Sequence, residues 1–153
     1  MSINLKQTAI IAMDLGSSNY LDDYEKERAV NEKFIEMLSE KLLDLKTAGS
    51  KLVSSNFFPE IHPGISVKFD YSTTDLNELM IYLKNNNISN VVYLGFHYPV
   101  CTHNGRPTSS YFLKKECEDL DVYVCPFLTR PLYRLQGGIP PSDNQTTVRQ
   151  IML

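Results

Sequence analysis

Along this chain the apolar residues change period from one stretch to the next, and the alternation predicts β-α-β units. Thr8 to Met13 (TAIIAM) is a short apolar run of the kind a strand buried on both faces shows, and it stops at the polar segment that opens with Asp14. Val30, Phe34, Met37, Leu38, Leu42 and Leu45 then recur at helical spacing between Glu and Lys. That stripe predicts a helix over roughly 23 to 48, closed by Gly49. Lys51 to Ser55 reads as a second strand, followed by a loop with Pro59 and Pro63 and a short extended piece, Ile65 to Lys68. Ser72 and Asp75 stand at capping-box spacing before Leu76, Leu79, Met80 and Leu83, so a second helix starts there and ends in Asn85-Asn86-Asn87. Asn90 to Gly95 (NVVYLG) favours β-structure most strongly; a helical region around Thr108 to Cys117 and a strand, Asp121 to Val124, come after it. Beyond Pro126, Pro131, Gly137-Gly138 and Pro140-Pro141 predict an irregular tail over 126–153.

These elements assemble into a single domain, 1–153, of α/β class: three layers, α/β/α, around a mainly parallel, Rossmann-like sheet. In such sheets ligands bind beyond the carboxyl ends of the strands, where strand order reverses. Three residues with chemistry fall at predicted strand ends: Asp14 after the first strand, Lys68 at the end of the extended piece, and Cys101 six residues past Gly95. A cysteine there gains from a helix N-terminus and from a nearby ammonium, both of which favour the thiolate. A carboxylate beside it can accept the thiol proton and return it to a leaving amine, which is the acid/base half of nucleophilic catalysis.

Composition narrows the field. With 153 residues, 42% apolar and 22% charged, the chain is an ordinary globular domain with one core. Fifteen Lys plus Arg against eighteen Asp plus Glu leave a charge of -3, which offers no general attraction to nucleic acid or anionic lipid. Apolar runs of about five residues are far short of a bilayer span, so the expectation is a cytoplasmic protein without a membrane partner. Three cysteines, an odd set without a Cys-x-x-Cys pair, argue against a disulfide framework or a thiolate zinc site. No metal and no cofactor are expected.

At three separate stretches the sequence resembles the isochorismatase-like cysteine hydrolases, the family of nicotinamidases and N-carbamoylsarcosine amidases. Ala9-Ile-Ile-Ala-Met-Asp14 is similar to that family's first strand with its acid. Val67-Lys68-Phe69-Asp70-Tyr71-Ser72-Thr73-Thr74-Asp75-Leu76 is similar to its lysine segment, and Val91-Val-Tyr-Leu-Gly95-Phe-His-Tyr-Pro-Val-Cys101 to its nucleophile segment. The resemblance covers roughly residues 8 to 125 and implies a Cys-Asp-Lys triad: Asp14 as proton shuttle, Lys68 as charged orienter, Cys101 as nucleophile. It implies hydrolysis of a small amide or ureido compound, the small-molecule partner. Arg106 is a candidate for pairing with a substrate carboxylate, since guanidinium offers a planar fork of donors. Tyr20, Phe69 and Tyr98, with Phe57 and Phe58, are candidates for an apolar substrate pocket.

The sequence departs from that pattern in four places. Gly16 stands where the family usually carries Gln, Gly105 and Pro107 interrupt the helix after the nucleophile, and Asn56 to His62 lacks the Asp-x-His spacing of metal-bearing members. The fourth is a short, Pro-rich end, which implies a domain abbreviated at the C-terminus that covers its apolar surface as a homo-oligomer, most simply a two-fold dimer. The alternative reading is a non-catalytic homologue that keeps the fold as a binding or scaffold protein. A nucleotide-binding module is weaker, because no Gly-rich phosphate loop follows the first strand. Cys117 and Cys125 read as packing residues and His62 as a loop residue; a Cys-His pair through His97 or His103 lacks a third, orienting residue.

Overall fold

A computed structural model describes residues 3–16, 28–56, 60–98, 106–131 and 149–153, with the backbone alone at 97, 98 and 131. A 3-10 turn, Leu5–Gln7, leads into β1 (Thr8–Met13). There follow α1 (Arg28–Thr47), β2 (Lys51–Ser55), β3 (Tyr71–Ser72), α2 (Leu76–Asn85), β4 (Asn90–Tyr98), α3 (Ser110–Glu116), β5 (Asp121–Pro131) and β6 (Arg149–Gln150). Every strand pairing is parallel and the order is β3-β2-β1-β4-β5-β6. The order reverses direction between β1 and β4, which puts the crevice of a doubly wound sheet at their carboxyl ends.

Period-two alternation divides two cores. Ile10 and Ala12 of β1 pack with Leu52, Val92 and Leu94 against Phe34, Leu38, Leu42 and Leu45 of α1. Ala9, Ile11 and Met13 face the other way, with Val53, Val91 and Tyr93 against Leu79 and Leu83 of α2 and Leu113 of α3. The domain is therefore the expected three-layer α/β/α sandwich. Gly95 allows β1 and β4 to meet at the reversal point. It holds φ +114°, and a Cβ there would lie 2.3 Å from the Met13 carbonyl oxygen, a distance no side chain tolerates.

Several elements differ from the sequence reading. On α1, Val30 and Met37 are exposed, and the buried face is completed instead by Asn31, Ile35 and Ser39. The expected helix residues 23–27 lie outside the described part. The Ser72-to-Asp75 box is displaced by three residues: Ser72 belongs to β3, and Asp75 is the N-cap, accepting from the Glu78 N–H at 2.9 Å. Ile65 to Lys68 is not a strand. The C-terminal region is less irregular than expected, because β5 runs through Pro126 to Pro131. It does so across a bulge, in which β4 advances from Tyr93 to Gly95 while β5 advances from Val124 to Thr129, and a bulge is where a strand accommodates proline. β6 then adds a sixth parallel strand at this edge of the sheet.

An ion pair ties the start of β2 to the approach to β3. Asp70 accepts from the Leu52 N–H at 2.8 Å and lies 3.1 Å from Lys46 Nζ in the last turn of α1. Burial alone would raise this carboxyl, but the Leu52 N–H and the Lys46 ammonium outweigh it and hold the group below its usual range. A depressed folded-state value stabilises the fold above the unfolded pKa and loses that contribution as pH falls through the folded value. Asp70→Asn is therefore expected to flatten the loss of stability below about pH 4. Chemical denaturation from pH 2 to 7 would check this, and an acid limb unchanged by the substitution would contradict it.

Candidate functional site

β1 ends at Met13, and the next residue turns sharply. Asp14 has φ +54°, the left-handed region that costs an L-residue roughly 1 kcal/mol or more, so its surroundings must hold it there. Its N–H donates to the Ser55 carbonyl at the end of β2 (3.2 Å), the Leu15 N–H to Asn56 Oδ1 (2.8 Å), and the Leu15 carbonyl accepts from the His62 N–H (2.8 Å). The Asp14 side chain is wholly inaccessible. It meets Arg106, whose Nη2 is 3.0 Å from both carboxylate oxygens and whose side chain is only 12% exposed. A buried carboxylate needs such a partner, because an unpaired charge out of water costs several kcal/mol.

The segment carrying Arg106 is fastened from two strands. Thr108 Oγ1 lies 2.7 Å from Ser55 Oγ, and the Thr108 carbonyl accepts from the Tyr93 hydroxyl at 2.6 Å. Tyr93 is fully buried, and burial pushes its phenol well above the ordinary value, with the neighbouring Cys117 adding to the rise. Both hydroxyls thus hold Thr108 at the sheet's carboxyl edge, two residues from the guanidinium that covers Asp14. The Ser109 hydroxyl beside them is buried without a hydrogen-bond partner among the described residues.

Lys68 is elsewhere. Buried Ile65 and Val67 fill the α1-side core, and the alternation turns Ser66 and Lys68 outward to solvent. The Lys68 carbonyl accepts from Lys46 Nζ, and two residues on, Asp70 exchanges backbone contact with Leu52, the second residue of β2. Asp14 instead touches Ser55, the last residue of β2. Leu52 and Ser55 are three residues, about 10 Å, apart along a strand. Lys68 thus sits at the amino edge of the sheet and Asp14 at the carboxyl edge, so the two do not converge. Phe69 goes with Lys68: it packs on the α1-side core and does not line the carboxyl-edge crevice. Arg106, expected to wait for a substrate carboxylate, is engaged with Asp14.

Cys101 and Tyr20 lie outside the described residues, as do His103, Phe57 and Phe58. For Tyr98 the backbone ends β4, opposite Pro131 of β5. Cys125 is buried in the α1-side core and Cys117 packs at the margin of the other; burial raises the Cys117 thiol, and Glu116 and Asp119 raise it further. His62 contributes through its backbone, while its Nδ1 accepts from the Gly64 N–H at 2.9 Å and burial lowers its pKa against the opposing charge of Glu32. Among the described residues no group of three or more His, Cys, Asp or Glu is placed to hold a metal ion, and no helix is long and apolar enough to cross a membrane. The Asp14 to Arg106 contact spans 92 residues of sequence, and no local pattern announces it.

No protein-family model and no curated protein matches the sequence. Solved structures do match the fold. An isochorismatase from Pseudomonas putida superposes with a TM-score of 0.59 at 13% identity, covering 99% of this chain and 91% of its own. N-carbamoylsarcosine amidase from Thermoplasma acidophilum gives 0.54 at 12% identity, over 94% and 96%. The MAR1 ribonuclease from Caenorhabditis elegans gives 0.58 at 15%, over 84% of this chain and 67% of its own. The chain therefore has the isochorismatase-like α/β hydrolase fold. At these identities the likeness is one of fold, and fold alone does not fix chemistry.

Proposed function

We propose that this isochorismatase-like domain is a cysteine-dependent hydrolase of a small amide or ureido compound, with Cys101 as nucleophile, Asp14 as acid/base and Arg106, in place of Lys68, as the cation that holds Asp14. The observation that carries the reading is the buried Asp14 to Arg106 pair at the carboxyl end of β1, beside β4. Cys101 stands three residues after Tyr98, where β4 ends, and five before Arg106. Tyr20 and Tyr98 remain proposed contacts for a small-molecule substrate.

The chemistry closes on these groups. Asp14 takes the Cys101 thiol proton as sulfur adds to the carbonyl carbon. Collapse of the adduct expels the amine, which recovers the proton from Asp14, and leaves a thioester. Asp14 then takes a proton from water as the hydroxyl adds to the thioester, and the thiol departs reprotonated. Arg106 keeps the carboxylate oriented through each transfer.

One observation favours a second reading, a non-catalytic homologue: the lysine of the resemblance lies at the wrong edge of the sheet. The discriminating experiment is turnover of a panel of primary amides, ureas and nicotinamide by the purified protein, with Cys101→Ala as the blank. The hydrolase reading expects release of ammonia or amine from at least one panel member and a fall to background in the variant. Absence of turnover together with an ordinary, slowly alkylated Cys101 would leave the non-catalytic homologue.

A further inference from the structure

The chain between β2 and β3 is fastened to the Asp14 turn through one residue. The His62 N–H donates to the Leu15 carbonyl at 2.8 Å, and the His62 carbonyl accepts from the Ile65 N–H at 2.9 Å, which closes a β-turn over 62–65 with Pro63 and Gly64 at its centre. The imidazole serves the same turn, since its Nδ1 accepts from the Gly64 N–H at 2.9 Å. A backbone N–H can only donate, so this bond fixes the ring as the neutral tautomer that carries its proton on Nε2. There is little slack around it. A Cβ at Gly64 would lie 3.0 Å from Nδ1 and 2.8 Å from Ile35 Cγ2, so the turn is pressed between the ring and α1.

Protonation removes the acceptor. An imidazolium carries N–H at both nitrogens, so Nδ1 would aim a proton at the Gly64 N–H, and the ring leaves that position. It has somewhere to go: the ring lines a cleft of about 370 Å³ whose α1 wall carries Glu32, Glu36 and Glu40. Glu32 also pairs with Arg28, at 3.7 Å. The other charges close to His62 among the described residues are exposed Glu60 on the same loop and the Asp14 to Arg106 pair beyond Leu15. Burial disfavours the imidazolium and outweighs the attraction of Glu32, so the ring titrates below its ordinary value. The closed turn is therefore fully formed above about pH 6.5 and is lost as pH falls through the lower folded value.

We propose that His62 is a proton-operated latch: its neutral ring closes the 62–65 turn, and protonation swings the ring to the α1 glutamates and slackens the His62 N–H bond to the Leu15 carbonyl that steadies the Asp14 turn. The latch stands apart from the hydrolase reading, because nothing in it depends on what Asp14 does. Its consequence for the site is that the buried Asp14 to Arg106 pair is best ordered near neutral pH and loosens in mild acid.

The test is amide hydrogen exchange, followed by NMR on the full chain from about pH 7.5 to 4.5 and expressed as protection relative to the unfolded rate, with the His62 ring titrated in the same samples. Wild type is expected to show a ring midpoint below about 6.5. At that midpoint the protection of the Gly64, His62 and Asp14 amides is expected to fall about fivefold, the worth of roughly one hydrogen bond. In His62→Asn the amide oxygen replaces Nδ1 as acceptor and has no proton to gain, so protection is expected to stay within about twofold across the range. His62→Leu supplies no acceptor and is expected to show the acid values at every pH. A ring that titrates while the Gly64 and His62 amides keep their protection would overturn the inference, as would a ring that stays neutral down to acid unfolding. The same pH dependence surviving in His62→Asn would assign the effect to another group and remove the latch. An Asp14 amide that stays protected while the turn opens would confine the change to the loop, which also contradicts the proposal.

Discussion

Arg106→Met is expected to lower the stability of the fold by about 3–5 kcal/mol, a large share of the roughly 5–15 kcal/mol that holds a domain of this size together. Asp14 is wholly buried, and the guanidinium is its charged partner at 3.0 Å. Methionine keeps much of the volume of arginine but takes the guanidinium away from that carboxylate in a low-dielectric crevice. The cost is mainly that of a buried charge deprived of this cation rather than the worth of the pair. Arg106→Lys keeps the positive charge and gives up the planar guanidinium, so its loss is smaller. Asp14→Asn combined with Arg106→Met removes both charges, and the double variant is expected to be more stable than the sum of the single losses predicts by about 0.5–3 kcal/mol. Urea unfolding at neutral pH reads wild type, Arg106→Met, Arg106→Lys, Asp14→Asn and the double variant, with the midpoint moving and the slope held. Additive losses in the double variant would mean that the two side chains do not act as a pair.

The same contact shows where sequence reasoning reaches and where it stops. β1, β2 and the first part of β4 are legible because strands buried on both faces carry unbroken apolar runs, and α1 because its stripe is periodic. β3 has two residues and sits at the sheet edge, too short to leave a pattern. β5 passes through a proline that reads as a terminator until the bulge opposite Gly95 is known. Asp14 stands out in the sequence as a candidate because it directly follows a clear strand, and Cys101 by its distance from Gly95. Lys68 is misplaced for a definite reason: Ile65 and Val67 look like a strand that should deliver it to the carboxyl edge. They instead pack on α1 before β3 begins, which leaves the lysine at the amino edge. Arg106 is picked out as a cation near the nucleophile, but its partner is 92 residues away and only tertiary structure pairs them. Asn56 carries no signal beyond its place after a strand.

On the hydrolase reading, Arg106, and not Lys68, is the cation of the site that activates Cys101. In wild-type protein Cys101 is expected to react with iodoacetamide near neutral pH at least about tenfold faster than Cys117 or Cys125. Burial and acidic neighbours raise the Cys117 thiol, and Cys125 is enclosed in the core. The most direct measurement is the Cys101 alkylation rate at pH 7 in Lys68→Met against wild type, with Cys117 and Cys125 as internal references in the same digest. An exposed lysine at the amino edge of the sheet predicts a rate within about twofold of wild type, since water and salt screen its charge beyond about 10 Å. A tenfold slower Cys101 in Lys68→Met, with the reference cysteines unchanged, would return the lysine to the site and contradict the account.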